Sequence, residues 1–307
     1  MLLVLTVAII IDVFIIYDVG IQFSYIISFT LVVFQKKIIK SKSNILNNLI
    51  TSIIAFLVSF PICVYYYSKI NILSIFLNIF MIPFVSIIVF PFTLITFIVP
   101  ILYPIYEIII ICLEKISIFF SNITTFELVL AKPQLIVIFL YYLVIFLSIW
   151  NNKFISLFIV LVILHKSYIY IDNSINVTML DVGQGDSIFI KLQNNKGNIL
   201  VDTGGIVKTN KDKWKESKKE YSIIKNNTIP YLRTIGLNKI KYLILTHGDY
   251  DHMGEAINLV NNFKVEKVIF NCGPHNDLEQ DLIKVLNKKK IPYYSCIKEL
   301  NINDNKL

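Results

Sequence analysis

Seven apolar segments follow one another through the first 170 residues, and that succession limits the chain more than any other feature. They cover residues 2–17, 21–34, 49–67, 79–99, 101–120, 135–150 and 154–170. Crossing the hydrocarbon core of a bilayer takes about 20 apolar residues as a helix. Only structures that satisfy their own backbone groups survive there, which makes helices the economical solution. The segments therefore predict a polytopic α-helical membrane domain. Met1 opens directly into the first run with no basic stretch or small-residue cleavage site, which argues against a cleaved signal peptide.

Charge density changes near residue 171. Up to Ile171 the chain carries nine lysines, no arginine and five acids, against twenty basic and sixteen acidic residues from Asp172 onward. The whole chain is 55% hydrophobic and only 16% charged, whereas soluble domains average about 25% charged. Mean hydropathy is +0.66. Two domains are expected, 1–171 in the membrane and 172–307 outside the lipid, so a purely soluble protein is excluded. The net charge of +8 gives a mild attraction to polyanions or anionic lipid. Cys63 and Cys112 lie in apolar runs; Cys272 and Cys296 each close a strand-like run and are candidates for a disulfide.

Orientation follows from lysine. The densest basic loop, Lys36, Lys37, Lys40 and Lys42, is assigned to the cytoplasm, and alternation through seven spans puts everything after Tyr170 outside. Segment 101–120 carries Glu107 and Glu114 on one helical face with Lys115 beside them. It either spans with an acidic stripe turned from lipid or lies in the interface, and the second choice reverses the parity. Two stretches interrupt the grease: "DVGIQFSYI" with Gly20, Gln22 and Ser24, and "LNIFMIPFVSIIVFP" with Asn78, Pro83 and Pro91. Amides and prolines at membrane depth need partners for the freed polar groups. These six residues are helix-packing and kink positions on one reading and channel lining on the other. Asp12 and Asp18 are not assigned to a nucleic-acid path, because carboxylates repel phosphates.

After residue 175 the period changes. "INVTML", "DSIFIKL" and "GNILVD" are strand-like, and "DVGQG" joins the first two through glycines that permit a tight turn. A charged stretch, 208–220, reads as a solvated insertion. Residues 223–237 read as a helical region interrupted at Pro230, and "KIKYLILT" as a buried strand. Helix, strand, helix and strand follow, an alternation that predicts α/β layers.

The buried strand delivers "THGDYDHMGE", in which His247, Asp249, Asp251 and His252 fall within six positions. Imidazole and carboxylate both ligate divalent cations, and a loop directly after a strand fixes their directions. His247 and Asp249 can point to one side of an extended turn, while Asp251 and His252 diverge, which suits a second ion beside the first. Two such ions would clamp a phosphodiester and activate water.

"MLDVGQGDS", "VDTGG" and "LTHGDYDHMGE" resemble, in order and spacing, the metallo-β-lactamase-like domain of ComEC-type competence proteins, and the two membrane stretches resemble signatures of the same proteins. The resemblance implies a polytopic membrane domain followed by a partial αββα domain. It implies a channel in the inner membrane that imports single-stranded DNA in natural transformation. It further implies an extracytoplasmic nuclease-like domain acting on the strand left outside, and other competence-machinery proteins and membrane lipid as partners. His247, Asp249, Asp251 and His252 become metal ligands, with Asp251 also orienting the attacking water. Asp181, Gln184, Gly185, Asp186 and Asp202 line or support the site. An acid at Asp249, where the generic motif has histidine, favours manganese or magnesium over zinc.

The family's earlier spans are missing ahead of residue 1, and its later ligands, a histidine-rich motif and a bridging aspartate, have no counterpart up to Leu307. His275 in "CGPHND" reads as surface loop. The chain is therefore expected to be an internal fragment with half a two-metal site, inactive by itself, and to leave one apolar sheet face uncovered. A transport or DNA-guiding role with a vestigial site, and a membrane-anchored metallo-hydrolase of another substrate, are the competing functions.

Overall fold

The computed structural model describes residues 2–38, 43–121, 123, 126–205, 221–302 and 305–306. Lys40 and Lys42 of the basic loop and the whole charged stretch 208–220 lie outside them. The chain forms two compact units, Met1–Leu128 with Pro133–Leu161, and Val129–Lys132 with Val162–Leu307.

The first unit is helical. Its main helices are Leu2–Ile11, Val19–Val33, Asn44–Tyr67, Ser74–Phe84, Phe90–Ile98, Tyr103–Ser121 and Leu135–Trp150, with Ile155–Ser167 leading into the second unit. Among the described residues three helical stretches are long and apolar enough to cross a membrane: Ile45–Tyr67, Ser74–Ile98 and Asn152–Tyr170. Val19–Val33 and Leu135–Trp150 are apolar but shorter. Tyr103–Ser121, which carries exposed Glu107, Glu114 and Lys115, is not among the three.

Local chemistry explains the breaks. Asp12 and Asp18 are helix caps. The first accepts from Phe14 N at 2.9 Å and starts the turn Val13–Tyr17, and the second accepts from Ile21 N at 2.9 Å and starts Val19–Val33. Each satisfies a backbone donor that would otherwise be orphaned at a helix start. Between Ser74 and Ile98 the two prolines are absorbed without a break. Pro91 has no N–H for the usual helical bond, and the preceding stretch, Val85–Val89, widens to a π turn in which Phe90 N reaches Val85 O. Pro83 lies inside the helix Ser74–Phe84, and Asn78 is half-buried in it. Gln22 donates from Nε2 to Ile16 O at 2.9 Å and to Tyr66 Oη at 3.0 Å, so it ties the Val19–Val33 helix to Asn44–Tyr67. Gly20 sits where a Cβ would come within 3.1 Å of the capping Asp18 carboxylate, and Ser24 is exposed. Phe60, Tyr141 and Phe158 meet edge to face or tilted at 5.2–5.8 Å and form the buried centre of the unit. A two-stranded ribbon, β1 (Lys69–Asn71) with β2 (Glu127–Val129), carries the ion pair Lys69–Glu127 at 2.8 Å.

The second unit is built on a six-stranded sheet in sequential order: β3 (Asn176–Met179), β4 (Ile188–Lys191), β5 (Asn198–Val201), β6 (Lys239–Ile244), β7 (Lys264–Phe270) and β8 (Tyr293–Ser295). The first three pair antiparallel and the rest parallel. Helices fill the parallel crossovers. Pro230 takes the first turn of Ile229–Thr234 directly after a π segment, Ile224–Thr228, so it starts that helix instead of interrupting it. Ala256–Asn262 precedes β7, and Asp277–Lys289 precedes β8. In register across the parallel strands stand Leu200, Leu243 and Val268, all at 0% exposure, covered by Leu232, Leu259 and Leu282.

The other face is not left bare. Leu192, Ile199, Tyr242 and Ile269 cluster there around Ile302 of β9 (Asn301–Ile302), which is 1% exposed. The expectation of an uncovered apolar face is corrected at the sheet's centre. A short tail strand supplies one deep apolar plug, while Val177 and Met179 at the β3 edge stay exposed. Lys191, buried at the end of β4, pairs with Asp172 at 2.7 Å, and that bond, with two from Ser174, holds the Asp172 carboxyl well below the usual carboxylate range. Cys272 and Cys296 carry free thiols; the Cys296 thiol donates a hydrogen bond to Cys272, which favours its protonated form and raises its pKa.

Leu243→Ala is expected to destabilise the second unit by about 3 kcal/mol, since it opens a cavity between two strands and a helix layer. Chemical unfolding of the detergent-solubilised chain followed by tryptophan-independent far-UV dichroism measures it, and a loss below about 1 kcal/mol would contradict the row described.

Candidate metal centre

The site is built on the carboxyl ends of β5 and β6, where parallel neighbours leave the two following loops side by side. Asp202 closes β5 with φ +58, a left-handed conformation that aspartate tolerates better than most residues. Its N–H donates to Ile244 O at 2.9 Å, which aligns it with the end of β6. The side chain is nearly buried, and both oxygens are used. Oδ1 accepts from Thr246 N at 2.9 Å, while Oδ2 accepts from Thr246 Oγ1 at 2.6 Å and from His252 Nδ1 at 2.9 Å.

These bonds decide which ring nitrogens are available. An ionised carboxylate only accepts, so His252 Nδ1 carries the proton and Nε2 keeps its lone pair. Thr246 has one hydroxyl proton, and Asp202 takes it. The 3.0 Å contact between Thr246 Oγ1 and His247 Nδ1 must then run from the imidazole to the hydroxyl. His247 thus also presents a free Nε2. One buried carboxylate sets both tautomers, directly for His252 and through Thr246 for His247.

The two rings lie 3.8 Å apart at 47°. Ligand atoms from His247, Asp251 and His252 fall within 4.8 Å of one another. Asp251 Oδ2 is 3.6 Å from His252 Nε2, and Asp249 Oδ2 is 3.4 Å from His247 Nε2. Two imidazoles and a carboxylate grouped this closely are a donor set that suits a divalent metal ion. Asp249 is 71% exposed on its side chain, stands at the start of the turn Tyr250–Met253, and is not in the convergent group of three.

The supporting residues are placed as follows. Gly185, at φ +83, packs so closely on the Asp251 carbonyl that a Cβ would come within 1.6 Å of it, so the "DVGQG" turn can seat only a glycine there. Gln184 is exposed and its carbonyl accepts from Gly205 N. Asp181 accepts from Gly183 N at 3.2 Å within its own turn, and its carbonyl accepts from Asn227 Nδ2. Asp186 is exposed and its charge acts on His252. Burial pulls the His252 pKa down, but the hydrogen bond and charge of Asp202, with the charges of Asp251 and Asp186, outweigh it and leave the pKa raised.

Several contributors carried no role in the sequence reading. Thr246 relays between Asp202 and His247. Thr203 N donates to His252 O at 2.7 Å and fixes the motif backbone. Asn276 caps the helix Asp277–Lys289 in a capping box with Glu279, and its Nδ2 donates to Gly248 O at 2.6 Å. The spacing of Asn276 and Glu279 is a helix-start signal, but nothing in the sequence pointed from that cap to the motif loop. His275 is half-buried, with its ring against Phe270 at 5.2 Å and Nδ1 at 3.6 Å from the buried Glu279. It lies in the loop before that helix and is not in the convergent group of three, with its ring half-buried.

Comparison with known proteins covers both units. A family model described as "Competence protein" matches residues 1–154, and one described as "Metallo-beta-lactamase superfamily" matches residues 180–276. "ComE operon protein 3" of Bacillus subtilis (strain 168) is 28% identical over 241 residues, covering 73% of this chain and 31% of that protein. The chain thus spans about a third of the length of the curated relative it matches. A metallo-β-lactamase domain implies a divalent metal, and the donor set above fits one.

Asp202→Ala is expected to weaken divalent-metal binding by about 10- to 100-fold, because both imidazoles lose their fixed tautomer; titration calorimetry on the full chain reads it. Metal affinity should also fall on acidification. The raised His252 pKa means the metal-free imidazolium is stabilised by Asp202. That stabilisation is present below the ordinary histidine value and is lost as pH rises through the raised one. Metal needs the neutral ring, so the half-saturating metal concentration should climb as pH drops through the same window, and a flat profile between pH 5 and 8, the range where histidine titrates, would contradict His252 as a ligand.

Proposed function

The chain belongs to the competence protein family, and from that membership we propose that it forms part of an inner-membrane channel importing single-stranded DNA, with its metallo-β-lactamase domain outside the cytoplasm cutting the strand that is not imported. The observation that carries this reading is the conjunction in one chain of a competence-type helical unit and the His247–Asp251–His252 group.

In this reading His247, Asp251 and His252 would hold a divalent cation, the imidazoles through Nε2, with Asp249 as a further ligand and Asp186 lining the site. The bound cation supplies Lewis-acid polarisation of a phosphodiester and lowers the pKa of water at the site. Asp251 would be placed to orient the attacking water. Asp202 keeps both imidazoles in the ligating tautomer throughout. The carboxylates favour manganese or magnesium over zinc. Membrane lipid and other proteins of the uptake machinery are the partners, and Gln22, Ser24, Gly20, Asn78, Pro83 and Pro91 serve helix packing or line the channel. A second reading, in which the soluble unit only guides DNA, is favoured by the exposure of Asp249 outside the convergent group.

The test is labelled-DNA uptake and transformant yield in cells carrying His247→Ala, Asp249→Ala or Asp251→Ala in the full gene. A catalytic role predicts losses of about tenfold or more at His247 and Asp251, the scale on which site disruption lowers metal-dependent activity. Unchanged uptake at both would leave the guiding role and remove the nuclease.

A further inference from the structure

We infer that Cys272 and Cys296 close a reversible disulfide by exchange with a disulfide-bearing oxidant, and that this bond pins the loop leading to Asn276 against the end of β8. The two cysteines follow the same end of neighbouring parallel strands. Phe270 of β7 stands in register with Ser295 of β8, and Cys272 lies two residues beyond the first and Cys296 one beyond the second. Paired strands run about 4.8 Å apart, within the roughly 4.4–6.8 Å that a disulfide spans between α-carbons. The side chains already meet, since the Cys296 thiol donates a hydrogen bond to Cys272. Both cysteines are exposed, so an oxidant reaches them without unfolding. Cys296 holds φ +58, a left-handed conformation that turns the chain directly after the strand. A residue with a side chain keeps it only where its surroundings fix it.

What the bond fixes follows from the loop 271–276. At its start, Asn271 Oδ1 accepts from Gly273 N at 2.8 Å and Asn271 Nδ2 donates to Glu279 Oε1 at 3.4 Å. At its end, Asn276 N donates to Glu279 Oε2 at 2.9 Å, and Asn276 Nδ2 donates to the Gly248 carbonyl between His247 and Asp249. Glu279 is buried, so one carboxylate gathers both ends of the loop. A covalent link at Cys272 adds an anchor on the adjoining strand. On its other side, Cys296 begins the tail that brings Ile302 onto the second face of the sheet.

The exchange balances as follows from thiol chemistry. The Cys272 thiolate, which keeps the hydrogen bond from Cys296, attacks one sulfur of the oxidant and expels the other as a thiolate. Cys296 then loses its proton, attacks the Cys272 sulfur of the mixed disulfide and expels the second thiolate. Two electrons pass from the cysteine pair to the oxidant, and the two protons end on the two released thiols. No step needs a metal ion or DNA, so the inference stands whether or not the metal centre cuts DNA.

The test equilibrates the full chain in neutral detergent with glutathione disulfide or with dithiothreitol. Oxidation should give a 272–296 linked peptide on mass mapping and raise the melting temperature of the second unit by about 5 °C. It should also slow amide hydrogen exchange over 271–276 by about threefold or more, and dithiothreitol should reverse all three changes. Cys296→Ser should trap glutathione on Cys272 and show neither the shift nor the slowing. Should that variant fold poorly, the oxidised and reduced forms of the unaltered chain carry the comparison by themselves. Glutathione left on both cysteines with no link between them, a link joining two chains, or a link that leaves exchange over 271–276 unchanged overturns the proposal. So does a chain that resists oxidation until a chelator is added, which assigns the pair to a thiolate-bound metal.

Discussion

The buried carboxylate of Asp202 is the interaction on which the candidate metal centre depends. It accepts three hydrogen bonds from the loop that follows β6. Remove it and neither imidazole has a defined tautomer, and the Thr246 relay has no acceptor. Removing one partner from such a buried, charge-assisted network costs more than the same bond at a surface. The strained φ at Asp202 is consistent with a residue held in place by its surroundings.

A second layer of constraint comes from close backbone approach. The Gly185 turn rests on the Asp251 carbonyl, and Gly205 and Gly254 make room for the Tyr250 carbonyl and ring. Two glycine-bearing loops from an earlier part of the chain thus converge on the short turn that carries the candidate ligands, and Gly254 closes that turn. Asn276 adds a fourth contact from the far side. The ligand turn is therefore fixed by its backbone more than by its own four residues of helix.

Much of this was legible in the sequence, for identifiable reasons. Long apolar runs leave few folding options, so the helical unit announced itself. The alternation of strands and helices after Ile175 fixed the α/β class, and ligand chemistry concentrated in six positions marked the site. What escaped were relations between segments. Asp202 could be flagged only by resemblance, because its partners lie more than forty residues away. Thr246 and Asn276 are ordinary residues locally, and their roles exist only once β5, β6 and the capped helix are side by side. The covered second face escaped for the same reason, since a lone isoleucine near the tail carries no periodic signal. Pro230 misled because proline both ends and begins helices, and the residues around it do not say which.

The four residues Val129–Lys132 have a practical bearing. They belong to the second compact unit although the chain returns to the first for nearly thirty residues afterwards. Lys132 N donates to Thr234 O at 2.7 Å, Leu130 is at 0% exposure, and Ala131 lies against Gly236. Anyone excising the second unit by starting at Asp172 would strip away this inserted segment along with Lys166 and Ile169, leaving a raw patch where Leu130 was seated. Poor solubility or weak metal retention in such a recombinant piece would then reflect the cut, and say nothing about the intact centre.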